Sequence, residues 1–167
     1  TANPKRIMPL HDKIISPDAG ATICQHLTSM GKPVVFTNGC FDILHPGHVQ
    51  YLEAAKALGA CLMLGLNSDA SVKRLNKGPN RPVNPWHARA TVLAALQSVD
   101  YVMPFEEDTP LELIMHVKPV VLCKGGDYTP EAVVGAAAVT SWGGRVEIIP
   151  FVKGFSTSAL IQKLNAL

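Results

Sequence analysis

The sequence predicts a three-layer α/β fold in which helices cover both faces of a five-stranded parallel sheet. Short runs rich in Val, Leu and Ile alternate with helical patterns along nearly the whole chain. These runs are almost continuously apolar, which is typical of strands that are buried on both faces. A chain of 167 residues is long enough for one domain with a substantial core. We therefore expect a single domain over residues 1–167, in which residues 1–15 form an irregular N-terminal segment.

The first half of the chain begins with a helix and continues with strand and helix signals. Ser16 followed by Pro17 is a favourable helix start, and Gly31 marks the end of that helix. The elements expected next are a strand over 34–37, a helix over 46–58, a strand over 61–66, a short helix from 69 that Ser68 caps, and a helix over 84–97. This order predicts crossover connections between parallel strands.

The second half repeats the same alternation. The elements expected there are a strand over 101–104, a helix over 110–117, a strand over 120–123, an Ala-rich helix from 130 to the glycines at 143 and 144, a strand over 145–149, and a last helix capped by Ser156. Each strand is followed by a helix, which favours a doubly wound sheet.

Composition excludes several functional classes. The formal net charge is +2, too small to indicate a nucleic-acid partner. We find no apolar stretch of membrane-spanning length and no secretory signal, so we expect no membrane contact. The cysteines lack metal or redox spacing, which favours free buried thiols and a cytoplasmic protein. With 47% hydrophobic and only 17% charged residues, we expect a buried subunit interface, hence a homodimer or a higher homo-oligomer.

The segment from Asn38 to His48 carries the clearest chemical signal. It leaves a predicted strand and enters a predicted helix at Pro46, a residue that suits the first helical turn. The unpaired N–H groups and the dipole of such a helix start favour an anion. His45 and His48 are three residues apart and can therefore face the same anion. This arrangement predicts a phosphate-handling enzyme, since phosphoryl-type transfer needs positioning and electrostatics.

Other polar segments also follow predicted strands directly. They are 67–69, 124–128 and 151–158. Ligands of doubly wound sheets bind beyond the carboxyl ends of the strands, where the winding reverses. We therefore expect these segments to meet the 38–48 segment in one site.

Five sequence blocks, in this order, resemble a known family. The first block, NGCFDILHPGH at 38–48, resembles the HxGH signature of the nucleotidyltransferase superfamily. The further blocks GLNSD, GPNRPV, KGGDY and GFSTS, which begin at residues 65, 78, 124 and 154, resemble the adenylyltransferases that make ADP-heptose. The similarity runs from about Ile23 to the C-terminus. It implies a Rossmann-like nucleotidyltransferase fold.

The same resemblance implies the reaction. AMP would pass from ATP to D-glycero-β-D-manno-heptose 1-phosphate, giving ADP-heptose and pyrophosphate for the synthesis of the lipopolysaccharide core. Mg²⁺ would enter with the ATP, so no metal site formed by the protein is expected. The partners would be ATP and a sugar phosphate.

The motifs and the resemblance together give the candidate site residues. The catalytic residues are His45, His48 and Lys77. The nucleotide and its phosphates would be bound by Asn38, Gly39, Cys40, Phe41, Lys73, Lys124, Asp127, Ser156, Thr157 and Ser158. The acceptor would be bound by Asp42, Asn67, Asp69 and Arg81. The related cytidylyltransferases carry an arginine shortly before the last block, where this chain has Lys153. The lysine ammonium supplies positive charge but lacks the planar guanidinium that can bind a phosphate through two N–H groups at once.

Simpler interpretations remain open for several of these residues. The two histidines would then only complete hydrogen bonds at a helix start, Asp42 would brace a turn, and Ser156 would be a helix cap. For Arg89, an intersubunit or structural role is favoured. Zinc bound by Cys40 and the two histidines is a further alternative, although a fourth ligand is missing.

Two other functions also remain open. One is a cytidylyltransferase that acts on a polyol or glycerol phosphate, because base recognition through backbone groups leaves no signal in the sequence. The other is a non-catalytic nucleotide-binding sensor. Neither the Walker pattern GxxxxGK[ST] nor the dinucleotide pattern GxGxxG is present, so a P-loop and hydride transfer with NAD are not expected.

Overall fold

The structure, a computed structural model, describes residues 8–167 and contains one five-stranded sheet. The strands are β1 (Val34–Gly39), β2 (Cys61–Asn67), β3 (Tyr101–Phe105), β4 (Val121–Gly125) and β5 (Arg145–Ile149). Their order is β3-β2-β1-β4-β5, and all neighbours are parallel. The predicted five-stranded parallel sheet is confirmed.

Helices connect the strands and cover the sheet. They are α1 (Leu10–Lys13), α2 (Pro17–Ser29), α3 (Pro46–Lys56), α4 (Asp69–Arg74), α5 (Trp86–Ala94), α6 (Leu111–Val117), α7 (Ala136–Ser141) and α8 (Thr157–Asn165). The hydroxyls of Ser16, Ser68 and Ser156 each accept the N–H three residues further on, at 3.2, 3.1 and 3.0 Å. The three predicted serine caps are therefore confirmed. Among the helices of residues 8–167, none has the length and apolarity needed to cross a bilayer.

The prediction of an irregular N-terminal segment is wrong for residues 8–15. This stretch contains α1, and Ile14 forms a parallel bridge with Val102 of β3. The ammonium of Lys13 donates to the carbonyls of Leu96 and Val99 at 3.3 and 2.8 Å. Residues 1–7 of the predicted segment lie outside the described residues. No local sequence signal marks this attachment, because its partners lie more than 80 residues away along the chain.

The predicted continuous helix from residue 130 to 143 is also wrong. A 3-10 turn at Pro130–Ala132 is separated from α7 by Gly135, which has a φ of 91°. A Cβ at residue 135 would lie 2.8 Å from Cδ1 of Ile114 on α6. The helix is interrupted at Gly135 because the backbone passes close to α6 there. Local sequence periodicity cannot reveal such a contact.

Two apolar layers enclose the sheet. On one face, α2, α6 and α7 pack against strand residues such as Val34 and Phe36. On the other face, α3 and α5 pack against residues such as Val35 and Leu64. Alternate residues of one strand thus enter opposite cores, which explains why the strands are apolar throughout. The four cysteines are buried and free, as expected.

The winding reverses at β1, which lies between β2 and β4. β1 pairs with β4 only at Val35–Val121 and Phe36–Leu122. The pairing ends before either strand does, so the two carboxyl ends leave a gap at the edge of the sheet. This is the position where ligands bind in sheets of this kind.

Candidate active site

A cleft of about 680 Å³ lies at the carboxyl edge of the sheet. Four segments that are distant in sequence contribute to it: the turn after β1 with the start of α3, the loop after α4, the end of β4, and the chain from β5 into α8. The predicted convergence is observed for segments 38–48, 124–128 and 151–158, whereas segment 67–69 does not line the cleft and the loop after α4 contributes to it instead.

His48 lies in the first turn of α3 and has a defined hydrogen-bonding state. Its Nδ1 accepts the backbone N–H of His45 at 3.3 Å. Burial lowers the pKa of His48 to about 4, and the nearby His45 and Lys77 contribute to this shift. The ring is therefore neutral near pH 7, and its proton is on Nε2. An Nε2–H group facing a cleft is a hydrogen-bond donor for an anion.

His45 stacks on His48. The ring centroids are 3.8 Å apart and the planes are inclined by 22°. Nδ1 of His45 is buried and has no hydrogen-bond partner within residues 8–167, and burial lowers the pKa of this ring. The absence of a side chain at Gly47 allows the stack, because a Cβ there would lie 2.9 Å from Cε1 of His45.

Two lysines bring positive charge to the cleft. Lys77 comes from the loop after α4, and Lys124 from the end of β4. Burial lowers the pKa of Lys124, and the neighbouring ammonium of Lys77 lowers it further. Two cations held close together without an anion are a costly arrangement, which a bound polyphosphate would relieve.

The turn after β1 has a constrained backbone. Phe41 has a φ of 44°, a left-handed conformation that is uncommon for an aromatic residue. Its ring lies over Gly39, where a Cβ would be only 2.7 Å from the ring. Gly39 is therefore required for this turn, whose residues 38–42 all line the cleft.

Asp42 is buried and holds the loop that contains Arg81. Its Oδ2 accepts Nε–H of Arg81 at 2.6 Å and the N–H of Val83 at 2.8 Å, and its Oδ1 accepts the N–H of Asn84 at 2.9 Å. Burial alone would raise the pKa of Asp42, but the bonds from Asn84, Val83 and Arg81 outweigh it and lower the pKa. Both carboxylate oxygens are thus engaged, which favours the bracing role. Arg81 lines the cleft, and its terminal nitrogens make no hydrogen bond within residues 8–167.

The start of α8 forms another wall of the cleft. Ser156 is the helix cap, and the hydroxyl of Thr157 donates to the carbonyl of Ile43 at 3.2 Å. The backbone N–H groups of Thr157 and Ser158, and the Ser158 hydroxyl, make no hydrogen bond within residues 8–167. A helix start with free N–H groups is suited to a phosphate.

Four predicted site residues lie outside the cleft lining. Asn67 is buried and donates to the hydroxyl of Ser71 at 2.9 Å. Asp69 accepts a bond from the Arg89 guanidinium at 2.7 Å. Lys73 on α4 and Asp127 after β4 are exposed. The remaining thirteen predicted residues line the cleft.

Eight lining residues were not among the predicted site residues, although six of them lie within the predicted segments 38–48, 124–128 and 151–158. They are Gly47, Tyr51, Gly125, Tyr128, Pro150, Phe151, Val152 and Phe155. Tyr51 lies one turn after His48, and its hydroxyl is 2.7 Å from that of Thr37 on β1. The spacing of three residues from His48, which puts both side chains on one face of α3, was the sequence signal that could have identified Tyr51. Phe151 and Phe155 are exposed, and exposed aromatic residues have no signature in a linear pattern.

The described residues do not form a metal centre. Within residues 8–167, no group of three His, Cys, Asp or Glu side chains could hold a metal ion. Cys40, His45 and His48 are therefore not a ligand set, which argues against the zinc alternative. In this described part of the chain, Asp42 is the one carboxylate among the lining residues of the cleft, and both of its oxygens already accept hydrogen bonds from Arg81, Val83 and Asn84.

Comparison with known proteins identifies the family. The sequence model of the cytidylyltransferase-like family matches residues 36–162. The chain belongs to this family. The predicted membership of the nucleotidyltransferase superfamily is thereby confirmed.

Known relatives and solved structures agree with this family. Bifunctional protein HldE of Trichlorobacter lovleyi is 63% identical over 134 residues, which are 80% of this chain and 27% of that protein. HldE of Geobacter metallireducens is 57% identical over 152 residues, 91% of this chain and 31% of that protein. The chain thus spans less than a third of the length of these relatives.

Two solved structures share the fold. The lipopolysaccharide core biosynthesis protein of Thermoplasma volcanium has a TM-score of 0.60 and 29% identity, over 75% of this chain and 100% of that chain. Pantoate-beta-alanine ligase of Francisella tularensis, solved with beta-gamma ATP and beta-alanine, has a TM-score of 0.57 and 13% identity, over 92% and 78%. The second similarity concerns the fold alone.

Proposed function

We propose that this chain transfers AMP from ATP to D-glycero-β-D-manno-heptose 1-phosphate, forming ADP-heptose and pyrophosphate. The observation that carries the proposal is the convergence of two imidazoles, two ammonium groups, one guanidinium and one helix start on a single cleft. Such a cleft is suited to a triphosphate facing a second phosphate. The similarity to HldE proteins and to a lipopolysaccharide core biosynthesis protein supports the choice of acceptor.

The reaction is a direct displacement at phosphorus. A phosphate oxygen of the sugar phosphate attacks the α-phosphorus, the bond from that phosphorus to the bridging oxygen breaks, and pyrophosphate leaves with the electron pair. The attacking oxygen is already ionised at neutral pH, so the chain needs no nucleophilic residue and no general base. Catalysis then consists of positioning and of stabilising negative charge. Mg²⁺ enters as the ATP complex.

The geometry supports distinct roles for the polar groups. Nε2–H of the neutral His48 donates to the α-phosphate, where charge grows in the transition state. Lys77, Lys124 and the free N–H groups at the start of α8 bind the β- and γ-phosphates. Arg81, held by Asp42 at 2.6 Å, binds the acceptor phosphate.

The base lies at the aromatic end of the cleft. Phe151 is 71% exposed and Tyr128 is 50% exposed, and both line the cleft. The Phe151 ring lies over Gly126, where a Cβ would be 2.8 Å from it. Exposed rings beside a phosphate site offer a stacking surface for a nucleobase.

Three broader expectations belong to this proposal. The chain acts as one nucleotidyltransferase domain, supported by the single sheet with a core on each face. It forms a homodimer or a larger homo-oligomer, supported by the apolar groove at Leu44, Pro46 and Val49 beside the site. It works in the cytoplasm, where ATP and sugar phosphates are available. Light scattering at low micromolar concentration tests the second expectation, and a clean monomer contradicts it.

The activity is tested by pyrophosphate release from the purified chain. ATP and CTP are each combined with heptose 1-phosphate and with glycerol 3-phosphate. The proposal expects release only with ATP and heptose 1-phosphate. Release only with CTP would favour a cytidylyltransferase, the second candidate, which the description of the matching family supports. Tight ATP binding without release from any pair would favour the sensor.

A further inference from the structure

Arg89 is a buried cation whose guanidinium bonds to one residue of the cleft lining, Cys40, and to two residues outside it, Asn84 and Asp69. Its side chain on α5 is 0% exposed and is not part of the cleft lining. The guanidinium donates to the carbonyl of Cys40 at 2.7 Å, to the carbonyl of Asn84 at 3.0 Å, and to the carboxylate of Asp69 at 2.7 Å. Desolvating a guanidinium is costly, so such a group persists only where its bonds are satisfied.

The bond to Cys40 fixes a peptide of the phosphate-facing turn. The Cys40 carbonyl accepts from Arg89, beneath the turn, while the next residue, Phe41, has a φ of 44°. A carbonyl oxygen that faced the cleft would repel a polyphosphate. Because Arg89 holds this oxygen on the protein side, the N–H groups of the turn can face the cleft.

The bonds from Arg89 to Asp69 and to Asn84 fix the segment that contains Lys77. Asp69 is the first residue of α4 and Asn84 ends the loop that follows, so Arg89 holds both ends of residues 69–84. Lys77 lies in the middle of this segment and lines the cleft. Asn84 also bonds to Asp42 of the turn, through its N–H at 2.9 Å and its amide at 2.8 Å. One guanidinium therefore couples the placement of Lys77 to that of the turn.

We infer that Arg89 is a positioning residue that places Lys77 and the 38–42 turn around the triphosphate without touching substrate. The inference deepens the proposed function and rests on it. Its distinctive consequence is that disturbing the Arg89–Asp69 pair weakens ATP binding through Lys77. A residue with a merely structural role would lower stability without that coupling.

The test is a double-mutant cycle between Asp69→Asn and Lys77→Met, measured as ATP affinity by calorimetry. The Asp69 side chain is 42% exposed, so its substitution spares the core. We expect Asp69→Asn to weaken ATP binding roughly tenfold in the wild-type background and less than twofold when Lys77 is already replaced. Arg89→Lys keeps the positive charge but loses the planar guanidinium whose three nitrogens make these bonds, and it should weaken ATP binding in the same way. The matched control is Arg74→Met, which removes the exposed Arg74–Asp108 pair at the other end of α4 and should leave ATP affinity unchanged.

Kinetics gives a second readout. Asp69→Asn should raise KM for ATP with a smaller change in kcat, and its Tm should fall because the buried Arg89 cation loses its anionic partner. Additive effects in the cycle, or a folded Asp69→Asn variant with wild-type affinity, would overturn the inference. Calorimetry does not require turnover, so a chain that binds ATP but releases no pyrophosphate refutes the proposed function while the cycle still decides the role of Arg89. A wild-type chain that binds no ATP overturns both.

Discussion

The sharpest test of the mechanism separates the two nitrogens of His48. In His48→Asn, the amide oxygen takes the place of Nδ1 and can keep the bond from the His45 N–H, which is 3.3 Å long in the structure. The Nε2–H donor is lost. In His48→Gln, the amide nitrogen lies near the position of Nε2 and keeps a donor, while the bond to His45 is lost. One pair of substitutions thus divides the structural role of the ring from its chemical role.

The expected magnitudes differ between the two variants. Removing one preorganised donor to a developing charge costs about 10²–10³-fold in kcat, so His48→Asn should lose that much while Tm stays near that of the wild type. Losing a helix-start hydrogen bond costs roughly 1 kcal/mol of the free energy of unfolding, so His48→Gln should be less stable but more active than His48→Asn.

The assay is pyrophosphate release at saturating ATP, with thermal unfolding of the same samples. ATP affinity should change much less than kcat, since the bond strengthens chiefly in the transition state. Turnover of His48→Asn within threefold of wild type would refute a catalytic role for Nε2–H. Equal losses of affinity and turnover would make His48 a ground-state ligand.

Three further predictions follow from the same site. The pKa of His48 is about 4 in the folded chain and about 6.5 when unfolded, so acid favours the unfolded state. The free energy of unfolding should fall by about 1–2 kcal/mol between pH 6.5 and pH 4 after allowance for solvent screening, and urea titrations of His48→Asn should show a flatter profile. Gly47→Ala should displace the His45 ring and lower kcat with little change in Tm; normal turnover would contradict this. Ser156→Ala should lower the free energy of unfolding by about 1 kcal/mol, because a helix cap is lost. Ser158→Ala should weaken ATP binding at unchanged stability. A stable Ser156→Ala variant together with an unstable Ser158→Ala variant of normal ATP affinity would exclude the proposed roles.

The elements that were predicted correctly depend on local signals. Ser16, Ser68 and Ser156 cap helices through bonds to residues three positions away, and those bonds are legible in a short window of sequence. The β5 boundaries agree with the prediction, because glycines precede the strand and Pro150 follows it. The break at Gly135 was missed because its cause is contact with Ile114, more than twenty residues away.

The candidate site shows the same division between features that depend on local signals and features that depend on contacts distant in sequence. The His45–His48 pair and the polar segments after the strands were visible as motifs. The inward bonds of Asn67 and the pairing of Asp69 with Arg89 were not, because each depends on which segments the fold brings together. A polar residue after a strand has the same sequence signature whether its side chain enters the cleft or supports it from behind.

The sequence by itself determined the alternation of strands and helices, the histidine-bearing helix start and the family. Only the tertiary structure decided which charged groups face the cleft, as Arg81 and Lys77 do, and which are buried beneath it, as Arg89 is. The physical reason is the distance along the chain over which each kind of interaction acts. Periodicity, caps and turns are settled by neighbours within a few residues, whereas burial and pairing of a charge depend on strand order and on loops that meet across the edge of the sheet.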